Sequence, residues 1–185
     1  MKKTVLCLSL LASAGAFANS GTITFNGLVT AATCDVTVDG NPASSAVVTL
    51  PTVATDAFEN YANAPVVKTK FIMELTGTAC SSPENQVKAF FSYGAGVDPV
   101  SGHLKNLDEG GVDGATNVMV ALLDLDGDTI VEAGAANGAG NTSQYGAIVN
   151  NAATLVYSAG YIAATPSAVT SGKVRSVVDF VLDYK

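Results

Sequence analysis

Short runs rich in Val, Ile, Thr and aromatic residues alternate along the chain with clusters of Gly, Asn, Asp, Ser and Pro. β-branched and aromatic residues favour strands, whereas the residues of the clusters favour turns. Helical periodicity is scarce, and a single helical turn is predicted around Asp56–Tyr61. The predicted strands are approximately Thr22–Ala31, Thr33–Val38, Ala46–Leu50, Thr69–Leu75, Val87–Tyr93, Asn117–Asp124, Thr129–Glu132, Ala153–Ala163 and Lys173–Tyr184.

The number and spacing of these strands predict an antiparallel β-sandwich with Greek-key connections. Two small, glycine-rich stretches, Gly94–Gly114 and Ala133–Gly146, are predicted as loops. No linker, charge run or internal repeat marks a domain boundary, and 185 residues suit one domain with a removable segment.

The first and last predicted strands alternate apolar and polar positions with a period of two, which places the apolar residues on one face. The last strand continues almost to the terminal residue, Lys185, although chain ends usually trail into disorder. On the pattern alone, both segments are compatible with ordinary outer strands of a sandwich. The residues of these faces are Ile23, Phe25, Gly27 and Val29 in the first strand, and Val178, Phe180, Leu182 and Tyr184 in the last.

Residues 1–18, MKKTVLCLSLLASAGAFA, have the organisation of a secretory signal peptide. Two lysines precede an apolar run of 14 residues, Val5–Ala18, whereas a membrane-spanning helix needs about 20. The sequence therefore predicts export with cleavage after Ala18, in preference to Ala16, and no membrane insertion. A lipoprotein is not predicted, because Cys7 lies inside the apolar run.

The composition supports a folded, acidic, exported protein. Hydrophobic residues make up 48% of the chain and charged residues 14%, which is enough apolar material for a core. Acidic residues outnumber basic ones 16 to 9, and loss of the two leader lysines moves the formal net charge from −7 to −9. No Lys/Arg cluster follows the leader, so nucleic acids and anionic membranes are not expected as partners.

Cleavage leaves Cys34 and Cys80 as the cysteines of the exported chain. In an oxidising compartment two such cysteines usually pair, and the closed loop would hold 47 residues. In the chain-entropy treatment this crosslink is worth roughly 4 kcal/mol. A catalytic thiol would need a nearby histidine, and the sequence has only His103. We therefore expect a structural disulfide.

The remaining motifs predict no catalytic, metal or cofactor site. One histidine cannot build a multi-histidine metal centre. The carboxylates of Asp124–Asp128 resemble a calcium loop, but Thr129 and Ala135 occupy the positions of its glycine and glutamate. Asp126-Gly127 is instead predicted to form a hairpin turn, and His103 is expected in a solvated loop.

Four blocks together resemble a chaperone–usher fimbrial subunit of the type 1 fimbrial major pilin family. Each block is weak by itself, whereas their joint order and spacing are specific and cover nearly all of the exported chain. A glycine fourteenth from the end and a tyrosine second from the end belong to the C-terminal signature. The blocks are Gly21–Val29 ahead of Cys34; Leu75–Cys80; Ala115–Val118 followed by Leu122, Leu123 and Asp126-Gly127; and Tyr161–Ala163 followed by Gly172 and Phe180–Lys185.

The resemblance implies an all-β fold, an incomplete immunoglobulin-like Greek-key β-sandwich completed by a donor strand from another subunit. A periplasmic chaperone lends a strand to the open groove during export. At an outer-membrane usher, the N-terminal extension of the next subunit replaces that strand. Strand addition gains affinity from backbone hydrogen bonds and specificity from alternate side chains in pockets.

The same resemblance divides the chain into a donor extension, residues 19–31, and a pilin domain, residues 32–185. In the extension Ile23, Phe25 and Val29 would enter the groove of a neighbour, and Gly27 would pass close to its backbone. A glycine that merely marks a bulge is the alternative for Gly27. The acceptor edge and chaperone contacts are carried over onto Gly172, Val178, Phe180, Leu182, Tyr184 and the terminal carboxylate of Lys185. The lysine side chain would bring its own positive charge near the basic chaperone residues that hold the carboxylate.

The predicted function is that of a structural subunit of a bacterial surface fimbria that supports cell adhesion. Its expected partners are copies of itself, a periplasmic chaperone and an outer-membrane usher. A minor or tip-associated subunit is the first alternative, and a secreted β-sandwich enzyme is the alternative from another class. A full adhesin would carry a further lectin domain, for which 167 exported residues leave no room. Because the other features indicate a bacterial envelope protein, no glycosylation is predicted at the sequon Asn141-Thr142-Ser143.

Overall fold

The computed structural model describes residues 34–59, 64–80, 85–135, 141–142 and 144–185. These residues fold into two antiparallel sheets with short 3-10 helices at Ala43–Ser45, Thr55–Phe58 and Thr78–Cys80, and they contain no α-helix. The strands are β1 (Asp35–Val38), β2 (Asn41–Pro42), β3 (Val66–Thr76), β4 (Gln86–Phe91), β5 (Leu104–Lys105), β6 (Val118–Leu123), β7 (Ile130–Val131), β8 (Gly146–Ala147), β9 (Ala152–Ala163) and β10 (Phe180–Tyr184).

The larger sheet has the strand order β2-β1-β3-β9-β6-β5, and β7 pairs with β6. Its centre is the long pair of β3 and β9, in which Phe71 lies opposite Tyr157. Burial along β3 alternates: Phe71, Met73 and Leu75 are buried and the residues between them are exposed. One face of this sheet therefore covers the core.

The smaller sheet has the order β10-β4-β8, with β4 in the middle. The core lies between the two sheets and contains Phe71, Tyr157 and Phe91. The Tyr157 ring lies 5.9 Å from that of Phe71 and 5.4 Å from that of Phe91, in an edge-on arrangement with the latter. Aromatic pairs favour such offset geometries, and these contacts join the two sheets.

Cys34 and Cys80 form the predicted disulfide, with a Cα–Cα distance of 4.5 Å. The bond joins the residue before β1 to the 3-10 helix Thr78–Cys80, and both half-cystines are buried. The structural role predicted for these cysteines is confirmed.

Most of the predicted strands are confirmed, and the differences concern segments that pair with no described strand and strands of two residues. The predicted strand Ala46–Leu50 joins no ladder with the described strands, and only the last five residues of Lys173–Tyr184 are in a ladder. The strands β5 and β8 overlap segments that were predicted as loops. The sequence did not predict them, because two-residue strands leave no alternating pattern. The predicted helical turn is the 3-10 helix Thr55–Phe58. The predicted strand Thr22–Ala31 lies outside the described residues.

The turn predicted at Asp126-Gly127 connects β6 to β7, and Gly127 has φ = 75°. The Asp126 carboxylate accepts the Thr129 hydroxyl and the backbone N–H groups of Asp128 and Thr129, which lowers the pKa of Asp126 to about 2. This pattern is an Asx-type turn. In the described part of the chain no cluster of His, Cys, Asp and Glu could hold a metal ion.

The expectation of a solvated His103 is wrong. The residue lies in a loop, but its ring is partly buried and Nδ1 is enclosed without a hydrogen-bond partner. Desolvation by this burial lowers the pKa of His103, while Asp98 and Glu132 act in the opposite direction. The neighbouring chain packs tightly here, because Gly102 lies against the backbone of Glu132.

Candidate strand-acceptor edge

The strand β10 forms one margin of the smaller sheet and pairs, among the described strands, only with β4. The Asp179 carbonyl accepts the Ser92 N–H at 2.8 Å, and Lys185 exchanges two hydrogen bonds with Gln86 at 2.9 and 3.1 Å. Backbone groups of successive strand residues point to opposite sides. Odd-numbered residues of β10 therefore face β4. The N–H and C=O groups of Phe180, Leu182 and Tyr184 point away from the sheet.

The opposite side of β4 is closed by side chains. β8 pairs only with Gln86 and Val87, so the backbone beyond them needs other partners. The Ala89 N–H donates to the Tyr157 hydroxyl at 3.0 Å, and the Ala89 carbonyl accepts the Thr142 hydroxyl.

Asn141 closes the next position of the same side. Its Oδ1 accepts the Phe91 N–H at 3.1 Å, and its Nδ2 donates to the Phe91 carbonyl at 2.7 Å. The side chain therefore replaces a neighbouring strand at Phe91, and the residue is 4% exposed. This burial also means that the sequon at Asn141 is no surface acceptor for a glycan. The side of β4 away from β10 is thus paired at Ala89 and Phe91, whereas no described strand pairs with the outer side of β10.

The inward-facing side chains of β10 pack against the core without being enclosed by it. They are only half-buried, whereas the β4 residues opposite them are at most 3% exposed. The two rows lie at the same depth in the sheet, so the difference arises from missing cover on the outer side of β10. The pairs, with the β10 residue first, are Phe180 with Phe91, Leu182 with Ala89, and Tyr184 with Val87.

A second segment that pairs with no described strand is Ala46–Leu50. Residues Ala46, Val48 and Leu50 pack half-buried against the core, while Val47 between them is 77% exposed. This is the alternation of a strand, although no described strand pairs with the segment. Leu50, at the end of this segment, lines a cavity of about 330 Å³ together with Gly172 and Val174, so the segment approaches the stretch before β10 at that end.

Gly172 begins the extended stretch that leads into β10, and it lines this cavity as well. A Cβ atom at this position would overlap the backbone nitrogen of Ala115. Only glycine allows the two backbones to approach so closely here. The predicted site residue Gly172 is therefore explained by close packing of the stretch before β10.

The end of β10 is attached on both faces. On the inner face, the Tyr184 hydroxyl lies 3.4 Å from both the backbone nitrogen and Sγ of Cys34, next to the disulfide. On the outer face, the Asp183 carboxylate accepts the Tyr145 hydroxyl at 2.8 Å and lies 3.6 Å from Lys88 Nζ. Lys185 Nζ lies 5.7 Å from the Tyr145 ring, within the range of a cation–π contact.

The structure thus brings the predicted acceptor residues into one line that runs from Gly172 to Lys185. It adds residues that the sequence analysis did not assign to the site: Val174, and the segment with Ala46, Val48 and Leu50. The alternation of the segment was visible in the sequence, but only the fold shows that these residues pack against the core and that Leu50 and Val174 line one cavity. The predicted donor residues Ile23, Phe25, Gly27 and Val29 lie outside the described residues.

No helix of the described part is long and apolar enough to span a membrane. Two antiparallel sheets around one core define the chain as an immunoglobulin-like β-sandwich, in which no described strand lies beside the outer side of β10.

Comparison with known proteins assigns the chain to a family within this class. The family model of FimA, the Type-1 fimbrial protein A, matches residues 50–185. The chain is 33% identical to an F17 fimbrial protein of Escherichia coli over 192 aligned positions, covering 100% of both chains. It is 35% identical to the major fimbrial subunit SMF-1 of Stenotrophomonas maltophilia (strain K279a), covering 95% of this chain and 99% of that protein.

Solved structures show the same fold. A subunit from the structure of a chaperone–usher pilus that reveals the molecular basis of rod uncoiling aligns with a TM-score of 0.58 at 20% identity, over 90% of this chain and 96% of that one. The P pilus rod subunit PapA aligns with a TM-score of 0.55 at 16% identity, over 82% and 99%. The chain belongs to the type-1 fimbrial protein family, and its function class is that of a structural fimbrial subunit.

Proposed function

We propose that the chain polymerises into a surface fimbria by donor-strand exchange, in which β10 accepts the N-terminal extension of a neighbouring copy. The observation that carries the proposal is the asymmetry of the smaller sheet. The side of β4 away from β10 is closed by Tyr157, Thr142 and Asn141, whereas β10 directs backbone groups that no described strand pairs with toward a cleft with an apolar floor. An edge of this kind is a template for pairing with another strand.

The extension has the length and pattern of the missing strand. Residues Asn19–Ala31 and the edge Gly172–Tyr184 both comprise 13 residues, an extended length of roughly 43 Å. The alternating residues Ile23, Phe25 and Val29 supply apolar side chains for the floor of the cleft. Each fully buried side chain contributes roughly 1.5–3 kcal/mol.

Before polymerisation the open cleft needs a temporary occupant, since exposed apolar floor and free strand edge promote aggregation. We propose that a periplasmic chaperone fills it after removal of residues 1–18 and that an outer-membrane usher exchanges chaperone for subunit. The pilin domain is then residues 32–185, and the product is a fimbria at the cell surface. The role is structural and involves no catalysis. The similarity to a major fimbrial subunit favours the shaft over the tip.

Deletion of Asn19–Ala31 tests this proposal. The shortened chain keeps the acceptor edge, so it should still be recovered with the chaperone from the periplasm, but it should not plug the cleft of another copy. Electron microscopy of the surface and chaperone pull-down give the two readouts. A full-length chain in which Thr22, Thr24 and Asn26, on the other face of the extension, are replaced by Ser, Ser and Gln serves as the control and should form fibres. Long homopolymers of the shortened chain would show that residues 19–31 are not the donor.

A further inference from the structure

We propose that Asn106 is a positioning residue of the acceptor edge, which holds the stretch before β10 in the extended conformation that a donor strand requires. The proposal rests on the function proposed above and assigns a role to a residue outside the cleft. It concerns the upstream half of the edge, residues 173–178, which β4 does not support.

Asn106 follows β5 directly and is 5% exposed. Its Nδ2 donates to the carbonyl groups of Ala115 at 2.8 Å and Lys173 at 3.0 Å. Its Oδ1 accepts the backbone N–H groups of Asp108 at 3.1 Å and Arg175 at 3.0 Å. An Asn side chain has two donors and two acceptor positions. All four are used, and two of them bind the stretch before β10.

Backbone hydrogen bonds also hold the stretch before β10 against the loop that contains Asn106. The Arg175 carbonyl accepts the Leu107 N–H at 2.7 Å, and the Lys173 N–H donates to the Asp113 carbonyl at 2.7 Å. Residues 173 and 175 therefore face the loop, just as 179 and 185 face the smaller sheet. The residues between them, including Val174 and Val178, turn their backbone groups to the open cleft, in phase with Phe180.

The acceptor edge is thus one continuous extended segment with two different supports. β4 holds its downstream half, Phe180–Tyr184, and the loop around Asn106 holds its upstream half. The ion pairs Arg175–Asp108 and Lys173–Asp113 join the same segments, but three of their four side chains, all except that of Asp108, are more than half exposed. Exposed pairs contribute little, so they do not replace the buried amide.

The matched comparison is Asn106→Ala against Asn141→Ala. Both residues are buried amides that bond backbone, but Asn141 supports the side of β4 that faces away from the cleft. Both variants should lose stability to denaturant. With the full exported chain and a synthetic peptide of Asn19–Ala31 as probe, only Asn106→Ala should bind the peptide about tenfold more weakly, equivalent to ~1.4 kcal/mol.

Hydrogen exchange gives the readout that a general loss of stability does not produce. In the wild type, the peptide should protect the cleft-facing amides of Val174, Ser176 and Val178 as well as those of Phe180, Leu182 and Tyr184. In Asn106→Ala only the second group should be protected, whereas in Asn141→Ala both should be. If the alanine variant does not fold, Asn106→Asp keeps the acceptors and the shape of the side chain, and it should shift protection in the same direction.

The outcomes separate this inference from the proposed function. Absence of protection anywhere along the edge of the wild type would overturn donor-strand acceptance by β10. Protection of both halves in wild type and in each Asn106 variant would leave that function standing and overturn the positioning role. Equal loss of upstream protection in Asn141→Ala would also overturn it, because the effect would then follow stability alone.

Discussion

At the scale of single residues, Tyr157 stabilises the junction of the two sheets. Its side chain is fully buried, burial raises its pKa to about 12, and its hydroxyl accepts the Ala89 N–H at 3.0 Å. Tyr157→Phe keeps the ring contacts but leaves that N–H without its partner, so we expect a loss of about 1–3 kcal/mol in the free energy of unfolding. Denaturant titration measures it. Tyr93→Phe, at a 62% exposed position, should be neutral, and equal effects of both changes would contradict the role of the buried hydroxyl.

His103 should make the free energy of unfolding depend on pH, at pH values higher than those at which carboxylates titrate. Desolvation lowers its pKa below the ordinary value of 6.5, so the unfolded chain binds a proton more readily than the folded one. The contribution of neutral His103 to the free energy of unfolding is complete above about pH 6.5. It decreases as the pH falls from there through the lower pKa of the folded state. The sequence contains no other histidine.

Replacement of His103 by Gln should abolish this pH dependence. Thermal unfolding of wild type and variant between about pH 7.5 and 5 gives the comparison. The lowered pKa of Asp98, caused first by its hydrogen bond from the Ser101 backbone N–H, acts in a more acidic range. A wild-type melting temperature that is constant across the interval would show that His103 is as solvated when folded as when unfolded.

At the scale of elements, the acceptor role of β10 predicts that the side chains of its inner face contribute to binding of the chaperone and of the neighbouring subunit. Phe180→Ala or Tyr184→Ala removes apolar area from the floor of the cleft. For comparison, truncating an aromatic residue in a protein core typically costs about 3–5 kcal/mol. Even a third of that weakens capture roughly tenfold. We expect less chaperone recovered by pull-down, degradation in the periplasm and few fibres.

The structure also selects the control for this experiment. Asp179 and Asp183 both lie on the outer face, but the Asp183 carboxylate bonds Tyr145 and lies near Lys88. Asp179 is exposed, so Asp179→Ala is the cleaner comparison and should recover chaperone as the wild type does. Equal recovery from Phe180→Ala, Tyr184→Ala and the wild type would make β10 an ordinary outer strand.

At the scale of the whole molecule, the disulfide anchors the residue before β1 and lies beside the end of the acceptor edge. Cys34 is bonded to Cys80, and its backbone nitrogen and Sγ lie next to the Tyr184 hydroxyl. Replacing both cysteines by Ala should lower the free energy of unfolding by roughly 4 kcal/mol, the loop-closure value for 47 residues, and should reduce the yield of exported protein. Non-reducing mass spectrometry of the wild type should find no free thiol, and two free thiols would contradict the assignment.

Runs rich in Val, Ile, Thr and aromatic residues predicted the long strands β3, β4, β6 and β9 well, because these residue types favour strands. Their pairing order, the short strands β5 and β8, and the unpaired state of Ala46–Leu50 were not predictable in the same way. These depend on contacts between residues far apart in the chain. Asn106 and Asn141 show the limit most clearly, since each lies in a predicted loop and their hydrogen-bond partners lie up to 69 residues away.

The sequence by itself determined the β-rich class, the disulfide and the two apolar rows at the ends of the exported chain, since all of these follow from local composition and spacing. It also carried the family resemblance. Only the tertiary structure decided which margin of which sheet stays open. That distinction depends on where each backbone N–H and C=O finds a partner: Tyr157, Thr142 and Asn141 close one side of β4, and no described strand closes the outer side of β10. Backbone hydrogen-bonding groups are the same in every residue but proline, so their pairing is set by the assembled fold and leaves no local signal in the sequence.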